Sequence, residues 1–204
     1  MSGPRVYDIP VVPEKPQNAG ERSRKMANTV IFKWNPAISS YSMLEHLQNI
    51  AREETDSDWS VWDHEHARRG DVFYMLKVGC GQTGIVMRGK LRSDPFPGED
   101  WSRRGRKVYY ADYRADFMIN PDTFSILNSE ALLDAIPGFD WEGGHSGVIL
   151  EPEQADVLDR MWNAWLEENK GEFQARFELM ERRKMWNDQL YLAQGLRKKL
   201  FGIS

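Results

Sequence analysis

Thr29-Val30-Ile31-Phe32-Lys33-Trp34-Asn35-Pro36 opens the stretch, residues 28–91, on which the fold is decided. Alternation puts Val30, Phe32 and Trp34 on one side and Ile31 and Lys33 on the other, the period of a strand half-buried in a sheet. Pro36 ends it. Ser42-Met43-Leu44-Glu45 has the form of a capping box, and Met43, Leu44, Leu47, Ile50 and Ala51 make one apolar face. This predicts a helix over about 43–54. Thr55-Asp56-Ser57-Asp58 reads as its breaker, followed by Trp59-Ser60-Val61-Trp62-Asp63. Were that segment a helical turn, Trp59 and Trp62 would face the same way. Gly70-Asp71 signals a turn into an apolar strand over 71–78, and a second strand over 85–91 follows the glycines at 79, 81 and 84. Trp34, Trp59 and Trp62 thus fall at element ends or between elements, where a core does not require them.

Outward from this stretch, the chain is a strand, a helix, several strands, a small helix, a strand and a long helix. Residues 1–27 hold four prolines and no regular period, and are expected to form an extended, weakly ordered arm. Residues 93–106 make a long loop, and 107–119 one long strand of the kind that bends around a small barrel. A short helical piece lies near 129–134, a Gly-rich loop at 139–146 and a short strand at 147–150. Pro152 opens a helix whose apolar face holds Val157, Leu158, Met161, Trp162, Trp165 and Leu166, with Trp162 and Trp165 read as core. Asn169-Lys170-Gly171 is expected to break it. The rest, 169–204, is read as a basic helical extension packing on the body or on a second copy, with a weaker face of Trp186, Leu190, Ala193 and Leu200. The expected class is α+β: a small curved, mostly antiparallel barrel over 28–168, flanked by helices.

The composition excludes several functions. The 204 residues include 41% hydrophobic and 28% charged residues and eight tryptophans. No apolar run approaches a membrane span, and the N-terminus lacks the apolar core of a signal peptide. A single cysteine, Cys80, fits a reducing cytoplasm and reads as a turn residue. Net charge is −4, but residues 28–168 carry −10 between a basic arm and a basic tail. An acidic body disfavours broad non-specific binding to nucleic acid. It leaves room for a local basic strip. The best one is Arg103, Arg104, Arg106 and Lys107 beside Trp101, with Arg88, Lys90 and Arg92 on a neighbouring strand. These read either as phosphate contacts or as a solvated loop. Arg182-Arg183-Lys184 and Arg197-Lys198-Lys199 read as solvated helix faces. His64 and His66 lie two apart with no convincing third ligand, so no metal or other cofactor is expected. There is no nucleophile elbow, P-loop, His-Glu-x-x-His or Cys-x-x-Cys pattern.

Taken in order, Trp34, a helix, the Trp59-x-x-Trp62 segment, the Gly70-Asp71 strand entry and Gly84-Ile85-Val86 line up with Gly144-His145-Ser146-Gly147-Val148-Ile149-Leu150 and the Pro152 helix start. Over about 28–166 this resembles the EVE branch of the PUA-like superfamily, relatives of the YTH and ASCH domains. The resemblance implies a pocket that takes one extruded base between aromatic walls. In bacterial relatives the base is often a modified cytosine in DNA, with links to restriction or defence. YTH relatives read methylated adenine in RNA. Carried over by position, Trp34, Asn35, Trp59 and Trp62 lie near the pocket with Ser146 opposite. Gly84 and the 144–150 segment, with His145, complete one pocket. The long loop 93–106 departs from the family, which leaves Trp101 and Trp141 unassigned.

The physical chemistry agrees with that expectation. Extruding a base costs roughly a few kcal/mol, and stacking on an aromatic returns about 1–3 kcal/mol. Asn35, Asp63 and Ser146 supply donors and acceptors for a base edge. Each residue also has a plainer reading. The tryptophans fit core packing, Asn35 and Asp63 fit turn shaping, and His145 fits a structural hydrogen bond. The leading expectation is a non-catalytic reader of a modified base, with DNA favoured over RNA by the resemblance and a nuclease among the implied partners. The alternatives are an ASCH-like enzyme acting on RNA or a modified nucleoside, and a protein-interaction module or dimer using the basic tail.

Overall fold

The computed structural model describes residues 27–50, 56–101, 104–183 and 189–202. The arm over 1–26, the end of the first helix, Arg103, Lys184 and Trp186 lie outside the described residues. The order is β1 (Thr29–Trp34), α1 (Met43–Ile50), β2 (Ser57–Ser60), β3 (Val72–Lys77), β4 (Gly84–Leu91), β5 (Phe96–Gly98), β6 (Val108–Ile119), β7 (Leu127–Asn128), α2 (Ser129–Ala135), β8 (Val148–Ile149), α3 (Pro152–Arg183), β9 (Leu190–Leu192) and α4 (Gln194–Phe201).

One curled sheet carries the fold, in the order β2-β6-β4-β3-β1-β8. It is mostly antiparallel, as the pattern predicts, but β1 and β3 pair in parallel, Phe32 against Met75. The chain crosses between them through α1. Successive residues face opposite sides of a strand. Phe32, Phe73 and Tyr113 therefore meet inside the curl, with ring centroids 4.9–5.9 Å apart, under His46 of α1. On the other side Tyr74 and Phe117 pack edge-on against Trp162 of α3. Trp162 and Trp165 are buried, as read from the sequence, together with Leu158 and Leu166 of the same face.

β4 and β6 slip register between Arg88 and Gly89, so that Arg88 opposes Phe117 while Gly89 opposes Ala115. The extra residue, Asp116, is turned to Arg88. Gly89 is required there, because a Cβ would stand 2.0 Å from the Arg114 carbonyl.

Three expectations are corrected. Residues 57–60 form an edge strand on β6 rather than a breaker, with Trp59 opposite Ala111. The helix that opens at Pro152 runs unbroken through Asn169-Lys170-Gly171 to Arg183. A helical glycine costs about 1 kcal/mol, whereas burying Phe173 against Phe117, Trp165 and Phe124 returns about 1.5–3 kcal/mol. The tail is also not wholly helical: β9 pairs with the end of β6, Leu192 against Phe117. The tail packs on the body, and α4 returns to α3 through Phe201 and Phe177.

Candidate functional site

The two ends of the strand order are joined by backbone, and that seam gathers most of the functional candidates. β2 continues into residues 61–63. The Val61 N–H donates to Tyr109 O on β6 (2.8 Å), while the Trp62 and Asp63 N–H groups donate to Ser146 O and Gly147 O, both 3.0 Å. The Asp63 carboxylate then accepts from the Ile149 N–H at 2.8 Å, on β8. Gly147 lies where the two segments cross. Its φ is +80°, and a Cβ would stand 2.3 Å from Val61 Cα, so no other residue fits without displacing backbone.

Ser146 is the hub of the seam. Its Oγ accepts from the Lys33 backbone N–H at 2.9 Å and from the Trp59 indole N–H at 2.8 Å. Both lone pairs are then occupied, which leaves the hydroxyl proton to donate. Trp59 is half-buried and packs edge-on against Tyr41, centroids 5.3 Å apart, and at 6.3 Å from Phe32. Trp62 is different. It is 55% exposed, and its indole lies parallel to the His145 imidazole at 3.5 Å and 1°. Beside it, His64 stacks on Tyr109 at 3.7 Å while its Nδ1 sits 3.0 Å from Trp62 O. Trp59 and Trp62 face apart, because strand geometry replaces the helical turn.

The loop over 139–147 is held by Lys33. Its ammonium donates to Asp140 O at 2.6 Å and to Gly143 O, and lies 5.2 Å from the Phe139 ring centroid. Burial pulls this lysine below its ordinary pKa, against the opposing pull of the Asp140 carboxylate. The Gly143 N–H, joined by the Glu142 N–H and Lys33, holds the Asp140 carboxyl below the usual range. The loop is thus locked from both sides of a single cation.

The structure brings Trp59, Trp62, Asp63, His145 and Ser146 together and sets three other candidates apart. Trp34 is buried inside the curl, edge-on to Tyr41, and its indole N–H has no partner among the described residues. Asn35 shapes the turn after β1: its Oδ1 accepts from the Ala37 N–H at 3.0 Å and its carbonyl from Ile38 and Ser39. Gly84 packs against β7, where a Cβ would stand 2.2 Å from Leu127 O. Asp63 caps its turn through His66 and Ala67 as well as holding β8. Of the unassigned tryptophans, Trp141 is buried with its N–H on Ile136 O, and Trp101 is 56% exposed.

The basic candidates divide in the same way. Arg88 is committed to Asp116 at 2.7 Å and to the Tyr74 hydroxyl at 3.3 Å, which suits the register slip. Burial pushes the Tyr74 phenol up to about 12, with Arg88 opposing. Arg92 and Arg114 share Asp56. Arg104 and Arg106 donate backbone N–H groups to Asp100 Oδ2, both 3.0 Å, and the Arg106 guanidinium lies 3.5 Å from Oδ1. Lys90 and Lys107 are exposed. Arg103 lies outside the described residues.

Sequence reasoning missed Lys33, Tyr41 and His46. His46 is buried beneath the aromatic cluster, its Nδ1 2.7 Å from the Tyr41 hydroxyl. Burial lowers its pKa to about 4 and raises that of Tyr41 well above its ordinary value. A histidine on the apolar face of the first helix was the available signal. Among the described residues, no group of three or more His, Cys, Asp or Glu side chains is placed to hold a metal ion. No helix among them is long and apolar enough to cross a membrane.

No family model matches the chain. A protein named cytokinin dehydrogenase 4, from Oryza sativa subsp. japonica, is 28% identical over 108 residues. That match takes in 53% of this chain and only 18% of that protein, and its activity stays with it. Among solved structures, a structural-genomics protein from Pseudomonas syringae shares 17% identity with a TM-score of 0.44, covering 65% of this chain and 99% of that one. The Mmi1 YTH domain in complex with RNA shares 14% identity with a TM-score of 0.41, covering 70% of this chain and 82% of that one. At these identities and scores the neighbours carry no argument about the family or the function of this chain.

Proposed function

We propose that this chain is a nucleic-acid-binding module that takes one extruded, modified base at the seam. The observation that carries the reading is the exposed stack of Trp62 and His145, at 3.5 Å and 1°. A flat heteroaromatic ring already covers the indole face, on a surface where core packing does not demand it. A nucleobase presents a larger flat face of the same chemistry. In this reading the base takes the place of the imidazole, with Trp62 as its platform and the Ser146 hydroxyl within the same seam for its edge. In this reading the His145 ring leaves the indole by rotating about its own side-chain torsions, with the loop backbone still held by Lys33.

The energetics suit a reader of altered bases. Extrusion costs roughly a few kcal/mol and is smallest where pairing is already weak. One platform returns about 1–3 kcal/mol, so discrimination rests on a few edge contacts and on apolar contact with a base substituent. Lys90, Arg104, Arg106 and Lys107 supply phosphate contact in this reading, and the acidic body keeps non-specific affinity low. Modified cytosine in DNA is the favoured ligand by the family resemblance, with methylated adenine in RNA next.

The test is titration with short DNAs and RNAs carrying modified or unmodified cytosine and adenine, at two salt concentrations. A preference for one modification that disappears in Trp62→Ala is expected. Equal affinity for every oligonucleotide, unchanged by that substitution, overturns the proposal.

A further inference from the structure

A pocket of about 270 Å³ is lined by Val78, Gly79, Thr83, Ser129, Trp141 and Glu142. The volume is close to the lower end of the roughly 300–1,000 Å³ of small-molecule sites. Val78 and Gly79 follow β3, Thr83 precedes β4, Ser129 opens α2, and Trp141 and Glu142 belong to the loop held by Lys33. The stacking residues of the seam do not line it.

Its chemistry is specific. Trp141 has its N–H on Ile136 O at 3.0 Å, so with Val78 it contributes apolar surface. Gly79 sits at φ +91°, and a Cβ there would stand 2.9 Å from Asn35 Oδ1, so this wall is held as bare backbone. Ser129 is 6% exposed, and its hydroxyl has no partner among the described residues, although its N–H donates to Thr83 O at 3.0 Å. Buried polar atoms are almost always paired, and an exception calls for an explanation. Thr83 brings a second hydroxyl. Glu142 is the one charged side chain in the lining. The nearby cations are spent on carbonyls: Lys77 on Cys80 O (2.7 Å) and Gln82 O (2.8 Å), and Lys33 on the loop.

A lining of one carboxylate, two hydroxyls and an apolar wall offers acceptors to N–H donors. We propose that this pocket binds a small planar heterocycle with an exocyclic amine. The amine donates to Glu142, and the ring's polar atoms meet the Ser129 and Thr83 hydroxyls. The site is independent of base reading at the seam.

The experiment uses cytosine as the probe, with pyrimidine, which lacks the amine, and benzoate, an anion, as controls. Binding is followed by calorimetry and by the amide signals of Gly79, Thr83 and Ser129. Cytosine is expected to saturate at one site and shift those three amides. Glu142→Gln, on the exposed rim, should weaken it about ten- to a hundredfold, the range of a lost charge-assisted hydrogen bond. Ser129→Ala should weaken it less, pyrimidine should bind more weakly, and benzoate should not bind. Absence of saturable shifts at these amides, or equal affinity in Glu142→Gln and the parent, overturns the proposal. Cytosine binding that is lost in Trp62→Ala but kept in Glu142→Gln places cytosine at the seam and overturns it equally.

Discussion

The Trp59 indole N–H donates to Ser146 Oγ at 2.8 Å across 87 positions of the chain, and the same oxygen accepts from the Lys33 backbone at 2.9 Å. One hydroxyl thus ties β2, β1 and the loop before β8 into one seam. Ser146→Ala removes the acceptor and leaves two N–H donors without it. The expected loss is about 1–3 kcal/mol, read from urea unfolding. Trp59→Phe in the Ser146→Ala background should cost less than in the parent, because the two residues share the bond.

Gly147 and Gly171 should respond in opposite directions to the same substitution. Gly147→Ala meets Val61 backbone at positive φ and should lower stability by about 1–3 kcal/mol or more. Gly171→Ala sits in α3 with open space around it and should raise stability by roughly 0.5–1 kcal/mol. Thermal unfolding of the pair checks both, and similar shifts for the two would contradict the crossing at the seam.

His46 makes stability depend on pH. Its folded pKa is lowered to about 4 by burial, below the ordinary histidine value of about 6.5. Between these values the unfolded chain binds a proton that the folded chain does not. Stability is therefore full above about pH 6.5 and falls as pH drops toward 4, by roughly 2–4 kcal/mol in all. Urea midpoints at neutral pH and near pH 4.5 should separate. His46→Gln should flatten that difference, whereas His64→Gln, at the exposed seam, should not.

Arg88 and Lys107 should separate stability from binding. Arg88→Ala leaves the Asp116 carboxyl without its guanidinium. Since the pair is part-exposed, the loss should be about 1–3 kcal/mol, below that for a fully buried pair. Lys107→Ala should leave the unfolding midpoint in place and reduce the salt dependence of nucleic-acid affinity by about one phosphate contact. A salt slope that falls with Arg88→Ala at unchanged stability would reverse the assignment.

The fold was legible where period and chain length agreed. The alternation over Thr29–Trp34 and Val108–Ile119 and the Pro152 helix start appear as read, whereas the buried face of α1 keeps Met43, Leu47 and Ile50 but leaves Leu44 exposed and takes His46 in its place. It was not legible where tertiary contacts outweighed local preference. Ser57 and Asp58 look like a breaker, yet β6 offers an edge and Trp59 gains the Ser146 bond by extending. Gly171 looks like a stop, yet Phe173 has an aromatic pocket to fill. The parallel pairing of β1 with β3 leaves no local trace. At the site, Trp59, Trp62 and Ser146 came to one pocket through the family resemblance, with Asp63 and His145 added as polar candidates. Their division of roles depends on which side of an edge strand each ring leaves, and a one-residue difference in register decides that. Asn35 and Gly84 were read into the same pocket through the same resemblance. In the fold they flank the second pocket, through Gly79 and Thr83.

The most direct measurement compares Trp62→Ala and His145→Ala for affinity toward a short strand carrying one modified base, with the unmodified strand as reference. If the base replaces the imidazole on the indole face, Trp62→Ala should weaken binding by about 1–3 kcal/mol and remove the preference for the modification. His145→Ala should keep or strengthen both, because it clears the platform. Full affinity and preference in Trp62→Ala would contradict the account.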